Sequence, residues 1–111
     1  MEKVSRKAFM DSMDGKKVTL MTTCVVGKEM FSKAIKSLYD TEKYLKVTTM
    51  PIDKKYTGIF HKRSNGFYRV MTDGTKSYKD FQTGDYILSD GTLAFILTPS
   101  TMRVCVYRGE N

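Results

Sequence analysis

The residues that could carry catalytic or metal chemistry are few and scattered in this 111-residue chain. His61 is the sole histidine, and Lys62 and Arg63 follow it with no carboxylate beside the ring to orient it. The two cysteines, Cys24 and Cys105, are far apart, and four Cys or His ligands for a structural zinc ion cannot be assembled. We therefore predict that the protein holds no metal and no cofactor.

The carboxylates of the C-terminal half fall mostly beside turns. Asp73, Asp85 and Asp90 each adjoin a glycine, where a short acidic side chain hydrogen-bonds the turn backbone. The eight glycines occur singly, so none forms a phosphate-binding loop of the Walker or dinucleotide type. We predict no catalytic residues and no enzymatic activity. The enzymatic alternative is a small nuclease that uses Asp85, Asp90 or His61.

Basic and aromatic residues interleave between positions 54 and 69. The candidate residues for binding nucleic acid or a partner are Lys54, Lys55, Tyr56, His61, Lys62, Arg63, Tyr68 and Arg69. On one sheet face, they would form a platform on which bases stack while cations follow the phosphates. Strand alternation also fits a simpler arrangement. Its core-facing residues are Phe60, Phe67 and Val70, and its solvated edge is Lys62, Arg63 and Tyr68.

The overall charge favours partners that carry phosphate. Lys and Arg number 19 against 12 Asp and Glu, for a formal net charge of +7 that is spread over both halves. A positive surface accelerates encounters with polyanions, and it equally keeps a small domain soluble. Lysine far outnumbers arginine, which argues against sequence-specific DNA recognition because bidentate base contacts need the guanidinium.

The first half of the chain alternates helical and extended patterns. Residues 5–13 are interpreted as a short helix, with Ala8, Phe9 and Met13 on one side, or as a partly ordered arm. Residues 17–26 predict an interior strand, because both alternating faces are largely uncharged. Residues 28–39 carry the apolar stripe of an amphipathic helix, and the prediction for residues 46–50 is a short strand.

Short strands separated by turn dipeptides dominate the second half. The predicted strands are residues 59–62, 67–71, 86–89, 93–97 and 103–108, and the turn signals are Asn65-Gly66, Asp73-Gly74 and Asp90-Gly91. We therefore predict a single α+β domain over residues 1–111. One main helix packs on a curved antiparallel sheet or small open barrel, with a short N-terminal helix beside it.

Composition also bears on compartment. No apolar run approaches the roughly 20 residues of a membrane helix, and the N-terminal residues lack a signal-peptide pattern. Cys24 and Cys105 lie in apolar runs and are interpreted as small buried hydrophobes in a reducing compartment. We expect a cytoplasmic protein without a membrane partner.

Residues 68–109 combine several of these signals in a fixed order. The positions concerned are Asp73-Gly74, Gly84-Asp85-Tyr86-Ile87, Asp90-Gly91, Pro99 and Tyr107. In this order the segment resembles the C-terminal part of a group of small bacteriophage and prophage accessory proteins, and residues 18–38 are similar to that group's strand–helix front half. Thr83 stands where the group has proline. The resemblance implies a phage-encoded accessory protein of the host cytoplasm, in a group whose function is mostly undefined.

These observations together predict a function of binding. We expect a non-catalytic accessory protein of phage type that binds and modulates or inhibits a host or defence-system macromolecule, with basic groups steering the encounter. The alternative is a basic protein that binds nucleic acid or nucleotides. A structural part of a virion is a third interpretation. The sequence leaves the partner and the oligomeric state open.

Overall fold

The described part of the chain forms two helices and eight strands. In the computed structural model it comprises residues 2–36, 56–63, 66–78 and 84–110. The elements are β1 (Glu2–Val4), α1 (Arg6–Met13), β2 (Lys17–Val25), α2 (Lys28–Lys36), β3 (Thr57–Arg63), β4 (Gly66–Met71), β5 (Lys76–Ser77), β6 (Tyr86–Ser89), β7 (Leu93–Thr98) and β8 (Arg103–Glu110). The strand predicted for residues 46–50 lies outside the described residues.

The strands form one open antiparallel sheet with the order β1-β6-β7-β8-β2-β3-β4-β5. Its two meanders, β3-β4-β5 and β6-β7-β8, follow from turns that the sequence marks. Gly74 and Gly91 have φ angles of +86° and +93°, which glycine adopts without strain. Asp90 accepts hydrogen bonds from the backbone N–H groups of Thr92 and Leu93, which closes the β6–β7 turn. The predicted reversals at these two positions are confirmed.

Helix α1 forms as predicted and covers one face of the sheet. The Ser5 hydroxyl accepts a hydrogen bond of 3.0 Å from the backbone N–H of Ala8, which caps the first turn. Phe9 and Met13 are buried, and the Phe9 ring packs edge-on against Phe60 with 6.1 Å between centroids. Ala8 is exposed, so the predicted grouping of Ala8, Phe9 and Met13 on one side of the helix holds only for the last two.

Helix α2 packs on the opposite face of the sheet. We call the two sides of the sheet the α1 face and the α2 face, after the helix that packs on each. Neighbouring strand residues point to opposite sides of a sheet. Phe95 packs with Phe31 of α2, whereas Ile96 packs with Phe9 of α1. All six residues of β7 are buried because both sides are covered. The expected single main helix is not confirmed, since α1 and α2 have eight and nine residues and lie on opposite sides.

Strand β2 is the predicted interior strand, between β8 and β3, but its alternation is interrupted. The register shifts between Leu20 and Thr22, where a bulge adds one residue. Val18 and Leu20 therefore pack on the α1 face, whereas Met21 and Cys24 pack on the α2 face. The predicted alternation, which places Cys24 on the side of Val18, is wrong beyond this bulge.

The two cysteines lie on neighbouring strands but on opposite faces. Cys24 is opposite Val104 and Cys105 is opposite Thr23 in the β2–β8 ladder. Both thiols are free and half-buried, so the predicted full burial is only partly correct. Burial, and secondarily the nearby Cys105, raises the pKa of the Cys24 thiol. This arrangement keeps the two sulfur atoms from forming a disulfide within the chain.

Candidate functional site

The β3–β4 ladder divides the predicted binding residues between the two faces of the sheet. Phe60 is paired with Arg69, and His61 is paired with Tyr68. Directly opposed residues of antiparallel strands share a face. Phe60 and Arg69 therefore lie on the α1 face, and His61 and Tyr68 lie on the α2 face. The single platform considered from the sequence becomes two separate groups.

Lys62 belongs to the α1 face and ties β3 to α1. Its Nζ lies 2.7 Å from Oδ1 of Asp11, and its backbone N–H donates a 2.8 Å hydrogen bond to Oδ1 of Asp14. The hydrogen bond between the two side chains lowers the pKa of Asp11 and raises the pKa of Lys62. These contacts give Lys62 a structural role in docking the helix.

Arg69 is also packed into the folded structure and is not part of an open surface. Its residue surface is 7% exposed, and its guanidinium carbon lies 5.6 Å from the centroid of the Tyr107 ring. A Cβ at Gly58 would approach Cγ of Arg69 to 2.6 Å, so the glycine leaves the room that the arginine stem occupies. A ligand on the sheet surface could reach this guanidinium only by displacing it from the packed α1 face.

The remaining sequence candidates lie elsewhere. Tyr56 is exposed at the start of β3 and borders a shallow cavity of about 210 Å³. Among the described residues, Leu20, Met21, Thr22 and Thr23 also line this cavity. Arg63 is opposite Gly66 in the backbone ladder. Lys54 and Lys55 fall outside the described residues.

Three rings form a row across the α2 face of β3, β4 and the end of β5. The His61 and Tyr68 rings are stacked, with 5.3 Å between centroids and 28° between planes. The Tyr68 and Tyr78 centroids are 5.8 Å apart, and Nζ of Lys76 lies 5.3 Å from the Tyr68 centroid. Tyr78 is 49% exposed at the sheet edge. The row thus ends in a ring that is half exposed at the sheet edge, with a cation over its middle ring.

A second row lies beside the rings on the same face. Backbone pairing places Lys17, Ile59, Val70 and Lys76 side by side on β2, β3, β4 and β5. Ile59 is 40% exposed, whereas Thr57, two residues earlier on the same face, is 4% exposed. The open area therefore begins at this row. Val70 lies on the side of Ile59 and away from Phe60, so its predicted position facing the core with Phe60 is wrong.

These two rows make up what we call the outer patch. Its residues are Lys17, Ile59, His61, Tyr68, Val70, Lys76 and Tyr78. Strands β3, β4 and β5 contain no Asp or Glu. Glu110 of β8 is opposite Lys17 at one end of the patch. Aromatic rings and ammonium groups without intervening carboxylates can stack planar groups and attract phosphates.

The sequence analysis missed two cations of the outer patch. Lys76 lies in a strand of two residues, which is too short to show alternation. Lys17 reaches the patch because β2 is the neighbour of β3, although many residues separate the two strands along the chain. The signal for Lys76 was its spacing of two from Tyr78, which puts both side chains on one side of an extended segment.

The comparisons with known proteins leave the patch as the main guide to function. No family model, curated protein or solved structure matches this chain. Within the described ranges, no three His, Cys, Asp or Glu residues come together as metal ligands would. Neither of the helices described is long and apolar enough to span a bilayer.

Proposed function

We propose that this protein is a binding protein rather than an enzyme, and that it binds single-stranded nucleic acid on the outer patch. The observation that carries the proposal is the row formed by His61, Tyr68 and Tyr78, with Lys76 over the middle ring. Stacking of a base on an aromatic ring contributes about 1–3 kcal/mol by alanine substitution. Lysines add an attraction to phosphates that is independent of sequence.

The geometry favours single strands over duplexes. The bases of a duplex are stacked on one another, so their faces are closed to protein rings, whereas an unpaired base can turn onto an aromatic side chain. Tyr78 presents its exposed ring at the edge of the sheet, beyond which no described strand follows β5. The cations of the patch are lysines, which act as point charges and suit binding that tolerates many sequences.

Fluorescence anisotropy with a fluorescein-labelled oligothymidine tests the proposal. We expect saturable binding at low salt, weaker binding of the same strand annealed to oligoadenosine, and a linear fall of log K with log salt concentration. Tyr78→Ala should weaken binding about 5- to 150-fold, the equivalent of roughly 1–3 kcal/mol. Tyr56→Ala is the matched control, because this tyrosine is 44% exposed outside the row.

The same titrations can overturn the proposal. A flat anisotropy signal at low salt, up to a high protein concentration, would exclude nucleic acid as the ligand. Equal losses in the Tyr78→Ala and Tyr56→Ala variants would show that binding is a general property of the charged surface. Tighter binding of the duplex would contradict the stacking argument.

A host or defence-system protein is the second candidate partner. Its support is the exposure of Ile59 beside the ring row, since mixed aromatic and aliphatic surface characterises protein interfaces. A pull-down from host lysate with and without nuclease separates the two candidates. Capture that resists nuclease and is lost in Ile59→Lys favours a protein partner, and capture that nuclease abolishes favours nucleic acid.

A further inference from the structure

We propose that the bound strand crosses the sheet from β2 to β5, perpendicular to the β-strands. Its bases follow the ring row, and its phosphates follow the adjacent row that begins at Lys17 and ends at Lys76. This inference rests on the proposed function and assigns to Lys17 a phosphate contact at the far end of the patch from Tyr78.

The register supports this path because the two rows run parallel. Residues of one strand that point to one face are two positions apart, so the rows are separated by roughly 7 Å. Lys17 and Lys76 lie on strands separated by three inter-strand spacings, or roughly 14 Å between their backbones. The lysines can therefore hold phosphates at both ends of a short stretch of chain while the rings receive its bases.

The shape of the open area favours a path across the strands over one along them. Along the strands the patch is closed at one end, just before Ile59, because Thr57 on the same face is buried. Across the strands it extends over four of them without interruption. The rings of His61, Tyr68 and Tyr78 also follow one another in this direction, so a base that contacts the exposed part of Tyr78 lies on the same path. Ile59 and Val70 lie between the lysines and offer apolar contact to sugars.

Glu110 distinguishes the Lys17 end of the path. It is exposed and directly opposite Lys17 in the β2–β8 ladder, on the side away from Ile59. A carboxylate here lowers the positive potential where we place a phosphate. Glu110→Gln should therefore tighten binding two- to fivefold at low salt. This gain should fade as salt is added, because ions screen the repulsion between a surface carboxylate and a nearby phosphate.

Charge reversal of single lysines tests the path. We expect Lys17→Glu and Lys76→Glu each to weaken oligothymidine binding at least tenfold at low salt. Each should also reduce the slope of log K against log salt by about 0.7, the value for one phosphate contact with a single strand. Lys3→Glu is the matched control. Nζ of Lys3 lies 4.0 Å from the centroid of the Tyr86 ring at the opposite end of the sheet. Lys3→Glu therefore makes the same charge change as Lys76→Glu, at a lysine that also lies over a tyrosine ring.

The outcomes separate this inference from the proposed function. If Lys76→Glu and Tyr78→Ala weaken binding while Lys17→Glu behaves like Lys3→Glu, the crossing path is wrong and the binding function stands. If the wild-type protein binds no oligonucleotide, the binding function itself is wrong. Lys17→Gln provides a second variant should Lys17→Glu fail to fold, with an expected loss of about half the reversal's effect on log K.

Discussion

Replacing Gly58 by alanine tests how closely β3 and β4 approach each other. A Cβ at this position would lie 2.6 Å from Cγ of Arg69 and 2.9 Å from the carbonyl oxygen of Val70. The first atom belongs to a side chain packed on the Tyr107 ring, and the second is backbone. Neither can give way without shifting β4 or ejecting the arginine from the α1 face.

The expected cost follows from these contacts. Overpacking by one carbon atom destabilises a packed interior by about 1–3 kcal/mol. We expect Gly58→Ala to cost about 2 kcal/mol, or roughly 8 °C in Tm for a domain of this size. Gly109→Ala is the matched control. Its Cβ would meet Sδ and Cε of Met13 at 3.1 and 3.2 Å, and these atoms are the flexible end of a side chain. We expect a change within about 0.5 kcal/mol.

Urea unfolding followed by far-UV circular dichroism measures both variants against the wild-type protein. The slope m should stay constant, so that the shift in midpoint reports stability alone. Oligothymidine binding should fall along with stability in Gly58→Ala only, because a shifted β4 moves Tyr68 within the ring row. Equal midpoints for Gly58→Ala and Gly109→Ala would refute the argument that backbone proximity demands glycine at position 58.

Three further predictions concern α1 and the thiols. Phe9→Ala should destabilise the protein by about 3–5 kcal/mol in urea titrations, because it empties a buried ring site; a loss below 1 kcal/mol would contradict the packing of α1. The hydrogen bond from Lys62 lowers the pKa of Asp11 in the folded protein. The stabilisation by this ion pair is therefore present above the unfolded pKa of Asp of about 3.9, and it is lost as pH falls through the lower pKa of the folded protein. Asp11→Asn should therefore lower the urea midpoint at pH 7 but not at pH 2.5, and a constant difference would refute the ion pair. Cys24 should react slowly with Ellman's reagent, because burial raises the pKa of its thiol. Under oxidant, intact-mass measurement should show no disulfide to Cys105.

Local chemistry made much of the fold predictable. The capping hydroxyl of Ser5 and the Asp90-Gly91 turn act within a few residues, and the structure places α1 and the β6–β7 hairpin where these signals indicate. Strands β1 and β5 were missed for a physical reason. They have three and two residues, and they are extended because they pair with β6 and β4. Long-range pairing of this kind leaves no periodic pattern in the strand itself.

The candidate site was less predictable than the fold. Alternation indicates that His61 and Lys62 point to opposite sides of the sheet. Only the pairing register of β3 with β4 shows that Tyr68 lies on the same side as His61. The bulge after Leu20 could not be foreseen from a run of uncharged residues. Lys17 joins the patch through the order of the strands in the sheet, which the amino-acid pattern does not specify.

Alternation along β3 separates the residues of the outer patch from the residues that hold helix α1. Ile59 and His61 belong to the outer patch, whereas Phe60 and Lys62 secure helix α1. Exchanges at positions 59 and 61 can therefore retune recognition with little effect on folding. A deletion of one residue would instead invert both sets at once, so this segment should tolerate replacement far better than any change in its length.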